Sequence, residues 1–225
     1  MPTSPIPSLS GRRERHSAER RLRLVRAALE LFAKKGFSQT TVEDITNAAD
    51  LGKGTFFNYF PSKEHILAEF GRLQIQRVQM AVDEVQTTNL PIQQFFLRLA
   101  LDVTSEPARN SSLIRALIQA NLSSEPVRQT MREIHARATQ LLGQIVSVGQ
   151  LRGEIRPELD PIDVAQSLRQ MLLGTMLVWS LYGDGTLEVR IRKVMDIFWS
   201  GLACKSSTST DDANEIPAKD KRKLP

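Results

Sequence analysis

Apolar positions along the chain recur at intervals of three and four almost from end to end. Ala18, Leu22, Val25, Leu29 and Phe32 share one helical face and Gly36 follows as a stop, so a first helix is expected over roughly 17–35. Thr41-Val42-Glu43-Asp44 has the form of a capping box, in which hydroxyl and carboxylate each satisfy a free amide, and Val42, Ile45 and Ala49 then face inward. After Ala49-Asp50-Leu51-Gly52 a third short segment runs from Lys53 to Phe60 and is stopped by Pro61. Ser62 is placed to cap a long fourth helix carrying Leu67, Phe70, Leu73, Val78, Ala81 and Val85.

The rest of the chain repeats one grammar of helix starts. Pro91, Pro126 and Pro161 sit where a first-turn proline is tolerated, and Asp160 before Pro161 is a ready N-cap. Helices are expected over 91–104, 108–122, 125–150, 160–182 and 187–203. No period-two stretch bounded by turn residues appears, so the fold class is all-α with about nine helices and no sheet. From Lys205 the residues are mostly Ser, Thr, Asp and Lys, which predicts a disordered tail over 205–225, and residues 1–16 read as a disordered basic arm.

Composition narrows this picture without changing it. The 225 residues are 41% apolar and 24% charged, enough to bury a core without disulfides or a structural metal. A single cysteine, Cys204, excludes an intramolecular disulfide and suits a reducing cytoplasm. The longest apolar stretch, Met171 to Tyr182, is too short to span a bilayer, and Met1 to Gly11 lacks the charge and apolar core of a signal peptide. A cytoplasmic protein with no membrane partner is therefore expected. The net charge of +5 is modest, but Arg12, Arg13, Arg15, Arg20, Arg21, Arg23 and Arg26 crowd into the entry to the first helix. That clustering reads equally as a solvated run or as an electrostatic footprint for DNA.

No catalytic pattern is complete. Gly52-Lys53-Gly54-Thr55 fails as a phosphate loop, because Gly follows the Gly-Lys pair and Asn47 stands where the upstream glycine is required. His16, His65 and His135 lie in separate segments, and no Gly-x-Ser-x-Gly turn occurs. No catalytic residue, metal or cofactor is expected.

The informative stretch is Thr40 to Glu64, where two short helices joined by a tight turn form a helix-turn-helix whose second member can enter a major groove. Thr41-Val42-Glu43-Asp44-Ile45, Ala48-Ala49 and the run Lys53-Gly54-Thr55-Phe56-Phe57-Asn58-Tyr59-Phe60-Pro61-Ser62-Lys63-Glu64 resemble the DNA-binding domain of TetR-type (tetracycline-repressor-like) regulators. Ala28, Leu31-Phe32 and Gly36-Phe37 fit the same resemblance, which covers roughly 18–70. It implies a DNA-binding unit over 17–64 and a ligand-binding and dimerisation domain over 65–204. It also implies DNA-contacting roles for Thr41, Lys53, Gly54, Thr55, Phe57, Asn58, Tyr59 and Lys63. Thr41 would offer its hydroxyl and helix N-terminus to a phosphate, Gly54 would permit close backbone approach, Thr55 or Asn58 would reach base edges or phosphates, and Tyr59 and Lys63 would grip the backbone. Where such regulators commonly carry Tyr, this chain has Phe57. Asp50 replaces a frequent Gly and Gly52 a frequent Ser or Thr, which leaves the third helix without a side-chain cap.

The resemblance further implies a cavity among the fourth to eighth helices and a dimer formed by the last two. Candidate cavity residues are Phe95, Phe96, Leu99, Asn121, His135, Met171, Met176 and Trp179, an adaptable apolar wall that favours an apolar or aromatic ligand. Leu172, Val194, Ile197, Phe198 and Leu202 are the candidate dimer seam, on stripes that serve equally as core. The expected function is a ligand-responsive repressor that binds a palindromic operator as a homodimer and is released by a small-molecule inducer. An activator or nucleoid-associated protein without an inducer, and a helical enzyme using the C-terminal cavity, are the alternatives.

Overall fold

The computed structural model describes residues 9–204, so the tail expected over 205–225 and the first eight residues of the expected arm lie outside the described residues. Nine helices occur among the described residues: α1 (Leu9–Lys35), α2 (Val42–Ala48), α3 (Lys53–Tyr59), α4 (Glu64–Val85), α5 (Ile92–Ala108), α6 (Ser111–Ser123), α7 (Glu125–Leu151), α8 (Pro161–Tyr182) and α9 (Leu187–Leu202). The only extended pairing among them is an isolated antiparallel bridge between Ile155 and Ala203.

Several starts follow the capping chemistry of the sequence. The Thr41 and Asp44 capping box is complete, and Asp160 accepts from the amides of Ile162 and Asp163. Other boundaries move. α1 begins at Leu9, so residues 9–16 are helical where a disordered arm was expected. Arg and Glu are good helix formers, and polarity alone cannot tell a solvated helical turn from coil. Ser62 does not cap α4. Its hydroxyl donates to the Glu64 carboxylate instead, and the position before the helix is Lys63 in helical conformation. α5 continues past residue 104 to include Pro107, and α6 starts three residues later than expected, capped by Asn110.

Two apolar cores form. One joins α1–α3 through Leu24, Phe32, Phe37, Ile45, Phe56 and Phe60, and it continues into Ile66 and Leu67 of α4, Leu113, Ala116 and Ala120 of α6, and Val127 of α7. The second lies among α4, α5, α7, α8 and α9, with Phe95, Leu141, Ile145, Val164, Leu168 and Ile191 at its centre. The helix-turn-helix is therefore packed directly on α6 and the start of α7. α4 also crosses α7 closely at Gly71, where an added Cβ would run into the side chain of Ile134.

The turn between α2 and α3 carries local strain. Asp50 sits at φ 50°, in the left-handed region, with its side chain in solvent. Glycine adopts that conformation without the Cβ clash. Asp50→Gly is expected to raise the melting temperature by roughly 1–3 °C in a thermal melt. A fall would show that the Arg23–Asp50 ion pair, at 3.7 Å, matters more than the strain.

Candidate nucleic-acid interface and ligand chamber

The seven residues of α3 divide cleanly. Phe56 is buried and meets Phe60 at 5.7 Å between ring centroids, which fixes the helix on its core. Lys53, Gly54, Phe57 and Asn58 point to solvent, and Thr55 is half-exposed. The Phe57 ring is 56% exposed and edge-on to Phe56, which leaves it open to a partner on the solvent side of α3. A Cβ on Gly54 would meet nothing within 4 Å, so the bare backbone there is not demanded by packing inside the protein. Lys53 reaches back to Glu43 at 3.0 Å, a surface pair weak enough to open for another anion. Arg23 donates to the Ala49 carbonyl at 2.6 Å and ties the turn to α1.

Three residues expected to touch phosphate are otherwise engaged. The Thr41 amide and hydroxyl both donate to Asp44 Oδ2, at 2.8 and 2.6 Å. That carboxylate is held far below the usual range, first by its bond to Lys35 and then by Thr41. The start of α2 thus already carries an anion. The Tyr59 hydroxyl accepts from Ser17 at 3.2 Å, and this bond, with Arg20 and Arg21 nearby, lowers its pKa. Lys63 is the clearest departure. Its Nζ donates to the carbonyls of Phe37, Ser38 and Thr40 at 2.9, 3.3 and 3.0 Å and lies 4.7 Å from the Phe37 ring centroid. It closes the turn between α1 and α2 and has no donor left to give.

Below this unit lies a chamber of about 630 Å³ walled by α4, α5, α6, α7 and α8, within the range of small-molecule sites. Phe96, Leu99, Asn121, His135 and Met176 line it, with Leu172 from the expected seam. Phe95, Met171 and Trp179 do not: they pack in or against the second core, and Trp179 Nε1 donates to the Gly185 carbonyl at 3.1 Å. The difference is rotational. On α8 the rows Leu168, Leu172, Met176 and Arg169, Leu173, Leu177 face the chamber, which turns Met171 and Trp179 away from it. Among the lining residues that no sequence pattern singled out are the polar Gln74 and Arg169, because polar residues isolated among apolar ones carry no motif. Gln74 places a buried Oε1 with no hydrogen-bond partner, and Arg169 brings a half-buried guanidinium. Burial and the Arg169 charge lower the pKa of His135, favouring its neutral form. Among the described residues no cluster of three metal-ligating side chains forms, and no helix is long and apolar enough to cross a membrane.

The last two helices keep an apolar face in water. Val178, Leu181 and Tyr182 of α8 and Val189 and Ile197 of α9 are exposed. Of the expected seam only Ile197 is fully outward. Val194 and Phe198 are half-buried, Leu172 turns to the chamber, and Leu202, 7% exposed, belongs to the core. The sign missed in the sequence is that the second half of α8, Met171 to Tyr182, carries apolar residues on every side, which calls for a neighbour on each.

The model for bacterial regulatory proteins of the tetR family matches residues 24–70, and that for the tetracyclin repressor-like C-terminal domain matches residues 112–195. The chain belongs to the tetR family. It is a DNA-binding transcriptional regulator. This tetR-family chain is 29% identical over 163 residues to the fatty acid metabolism regulator protein of Bacillus subtilis, covering 69% of this chain and 78% of the relative. FadR of Thermus thermophilus, solved in complex with lauroyl-CoA, aligns with a TM-score of 0.60 at 24% identity over 89% of this chain and all of that one. FadR of Bacillus subtilis, solved with stearoyl-CoA, aligns with a TM-score of 0.68 at 23% identity over 80% of this chain and 98% of that one. At those identities the structural likeness speaks for the fold.

Proposed function

We propose that this tetR-family regulator is a cytoplasmic repressor without enzymatic activity. As a homodimer it binds a palindromic operator through α3, and it releases the operator when a small molecule with a large apolar part enters the chamber. The observation that carries this reading is a shared wall. Leu67 and Val127 belong to the core of the DNA-binding unit and also line the chamber, and Leu117 and Met131 line the chamber while packing against that core. A ligand that shifts α4, α6 or the start of α7 therefore moves what α1–α3 rest on. Glu69, nearly buried in α4, adds a polar tie through Arg21 of α1 at 2.8 Å and through Arg72. Such a ligand acts only if it favours the arrangement that fits DNA badly, since equal affinity for both states shifts nothing. The apolar lining and the acyl-CoA complexes of the two FadR relatives support a ligand with an extended hydrocarbon part.

On the DNA side, the contacts assigned to α3 are Gly54 for close approach, Thr55 and Asn58 for base edges or phosphates, Lys53 for phosphate, and Phe57 for the sugar-phosphate backbone. Selection of bound sequences from random duplexes should return one palindrome. Gly54→Ala then separates fold from function. The methyl has free space and removes a helix-interior glycine, so the thermal stability should hold or rise, by up to about 1 kcal/mol. The same methyl stands between α3 and the groove, so operator affinity should fall at least about ten-fold, or about 1.4 kcal/mol. Thr55→Ala should change base preference in the same selection. If Gly54→Ala binds like the parent and Thr55→Ala selects the same sequence, α3 is not the reading helix.

A further inference from the structure

Beside the chamber lies a second, more polar hollow of about 580 Å³ between α7 and α8, and Asn121, Met131, His135 and Arg169 line both. Arg128, Arg132, His135 and Thr139 lie on one face of α7, spaced by three and four residues, opposite Arg169 of α8. No Asp or Glu lines either hollow among the described residues. The three arginines differ in what already holds them. Arg128 is paired with Glu125 and donates to the Asn121 and Leu122 carbonyls. Arg132, exposed at the rim, donates to the neutral Gln129 amide at 3.0 Å. Arg169 is half-buried on the shared lining, and its Nε donates to the Thr139 hydroxyl at 3.2 Å. No carboxylate pairs with Arg169 among the described residues, and burial lowers its pKa.

A partly desolvated guanidinium with neutral company is costly unless an anion arrives. Resting on the proposed ligand-responsive function, we infer that the chamber binds an anionic amphiphile: its hydrocarbon part fills the apolar space, and its anionic group meets Arg169 on the shared lining. Arg132 is engaged only by a head group large enough to reach the rim. The same acid-free lining selects against lipophilic cations, which would face Arg169 with no counter-charge. A carboxylate at the end of the chain and the phosphates of a thioester head both supply the charge, and the two arginines tell them apart.

The test uses one hydrocarbon chain with four heads: dodecanoate, dodecanoyl-CoA, dodecanol and dodecyltrimethylammonium. Binding to the full chain is measured directly by calorimetry, and operator release is followed in parallel. Both anions should bind more tightly than the alcohol, and the cation least. Arg169→Gln should weaken the anions by about ten- to a hundred-fold, the size of a lost charge-assisted pair, and leave dodecanol unchanged. Arg132→Gln, at an exposed site that folding does not need, should weaken dodecanoyl-CoA alone if thioester phosphates are the head the site is built for. No effect of Arg132→Gln on either anion assigns the site to a short carboxylate head. The inference is overturned if the alcohol or the cation binds as well as the anions. It is also overturned if Arg169→Gln binds anions normally, or weakens dodecanol equally, which would make Arg169 a strut between α7 and α8. Anions that bind through Arg169 yet release no operator would refute the proposed inducer role and leave the binding site standing.

Discussion

Ile197→Asp should yield a folded monomer whose operator affinity has fallen by two orders of magnitude or more. In one subunit Ile197 is 73% exposed, so a carboxylate there stays in water and costs the fold little. In the proposed dimer the same carboxylate would enter an apolar interface, and twofold symmetry would bury it once from each subunit. Stripping water from an unpaired charge costs on the order of several kcal/mol, enough to dissociate an ordinary helical interface. The face itself is coherent. Counted outward from the turn at 183–186, Leu181 lies within one residue of the level of Val189, and Gly174 within two residues of that of Ile197. Two such hairpins facing each other would bury both stripes as a four-helix packing. Tight binding needs two copies of α3 in successive major grooves about 34 Å apart, so a monomer loses the linked second contact. Light scattering and circular dichroism on the parent and the variant decide the matter. A monomeric parent, or a variant that stays dimeric, would remove α8 and α9 as the seam. Phe198→Asp would be a poorer probe, since Phe198 packs against the second core and its loss mixes unfolding with dissociation.

The parts of the molecule that were legible in the sequence are those that short-range chemistry determines. The Thr41–Asp44 box, the Asp160 cap and the three- and four-residue apolar spacing each act within a single turn of helix. What escaped depends on partners far away in the chain. Arg21 meets Glu69 across 48 positions, and Lys63 reaches the Phe37 carbonyl across 26; nothing near either residue announces its partner. The same limit applied to α8, whose apolar residues were visible as a helix but not sortable. Leu172 faces the chamber, Trp179 the core and Leu181 the solvent, and only the positions of α7 and α9 around it separate the three roles. The motifs of the sequence suggested a boundary at residue 64. It does not divide the packing, because α1 rests on α6 and the first core includes Ile66 and Leu67. Arg169 was invisible for a different reason: a single basic residue among the polar and apolar positions of α8 gains meaning only when the structure shows that no carboxylate pairs with it among the described residues.

Lys63→Met should lower the stability of the chain by about 2 kcal/mol while leaving the salt dependence of operator binding unchanged, the reverse of what the sequence implied. The resemblance placed this lysine on a phosphate. Losing a phosphate contact would lower the slope of log affinity against log salt by about one. In the structure the ammonium is committed to the Phe37, Ser38 and Thr40 carbonyls and lies over the Phe37 ring, with its stem along the same turn. Charge-assisted bonds contribute roughly 1.5–3 kcal/mol each when well desolvated, but this turn is half open to water, which can satisfy part of what the lysine leaves. A total near 2 kcal/mol follows. For a chain of this size that is a fall of about 4–8 °C in melting temperature. Methionine keeps the apolar stem, so the loss reports the ammonium rather than a cavity. Titrating the operator at several salt concentrations, well below the melting temperature, separates the two roles. A slope lowered by one with an unchanged melting temperature would mean that Lys63 leaves the turn for DNA. An unchanged slope with the lower melting temperature would make it the strut that holds the start of α2, and so the whole helix-turn-helix, against α1.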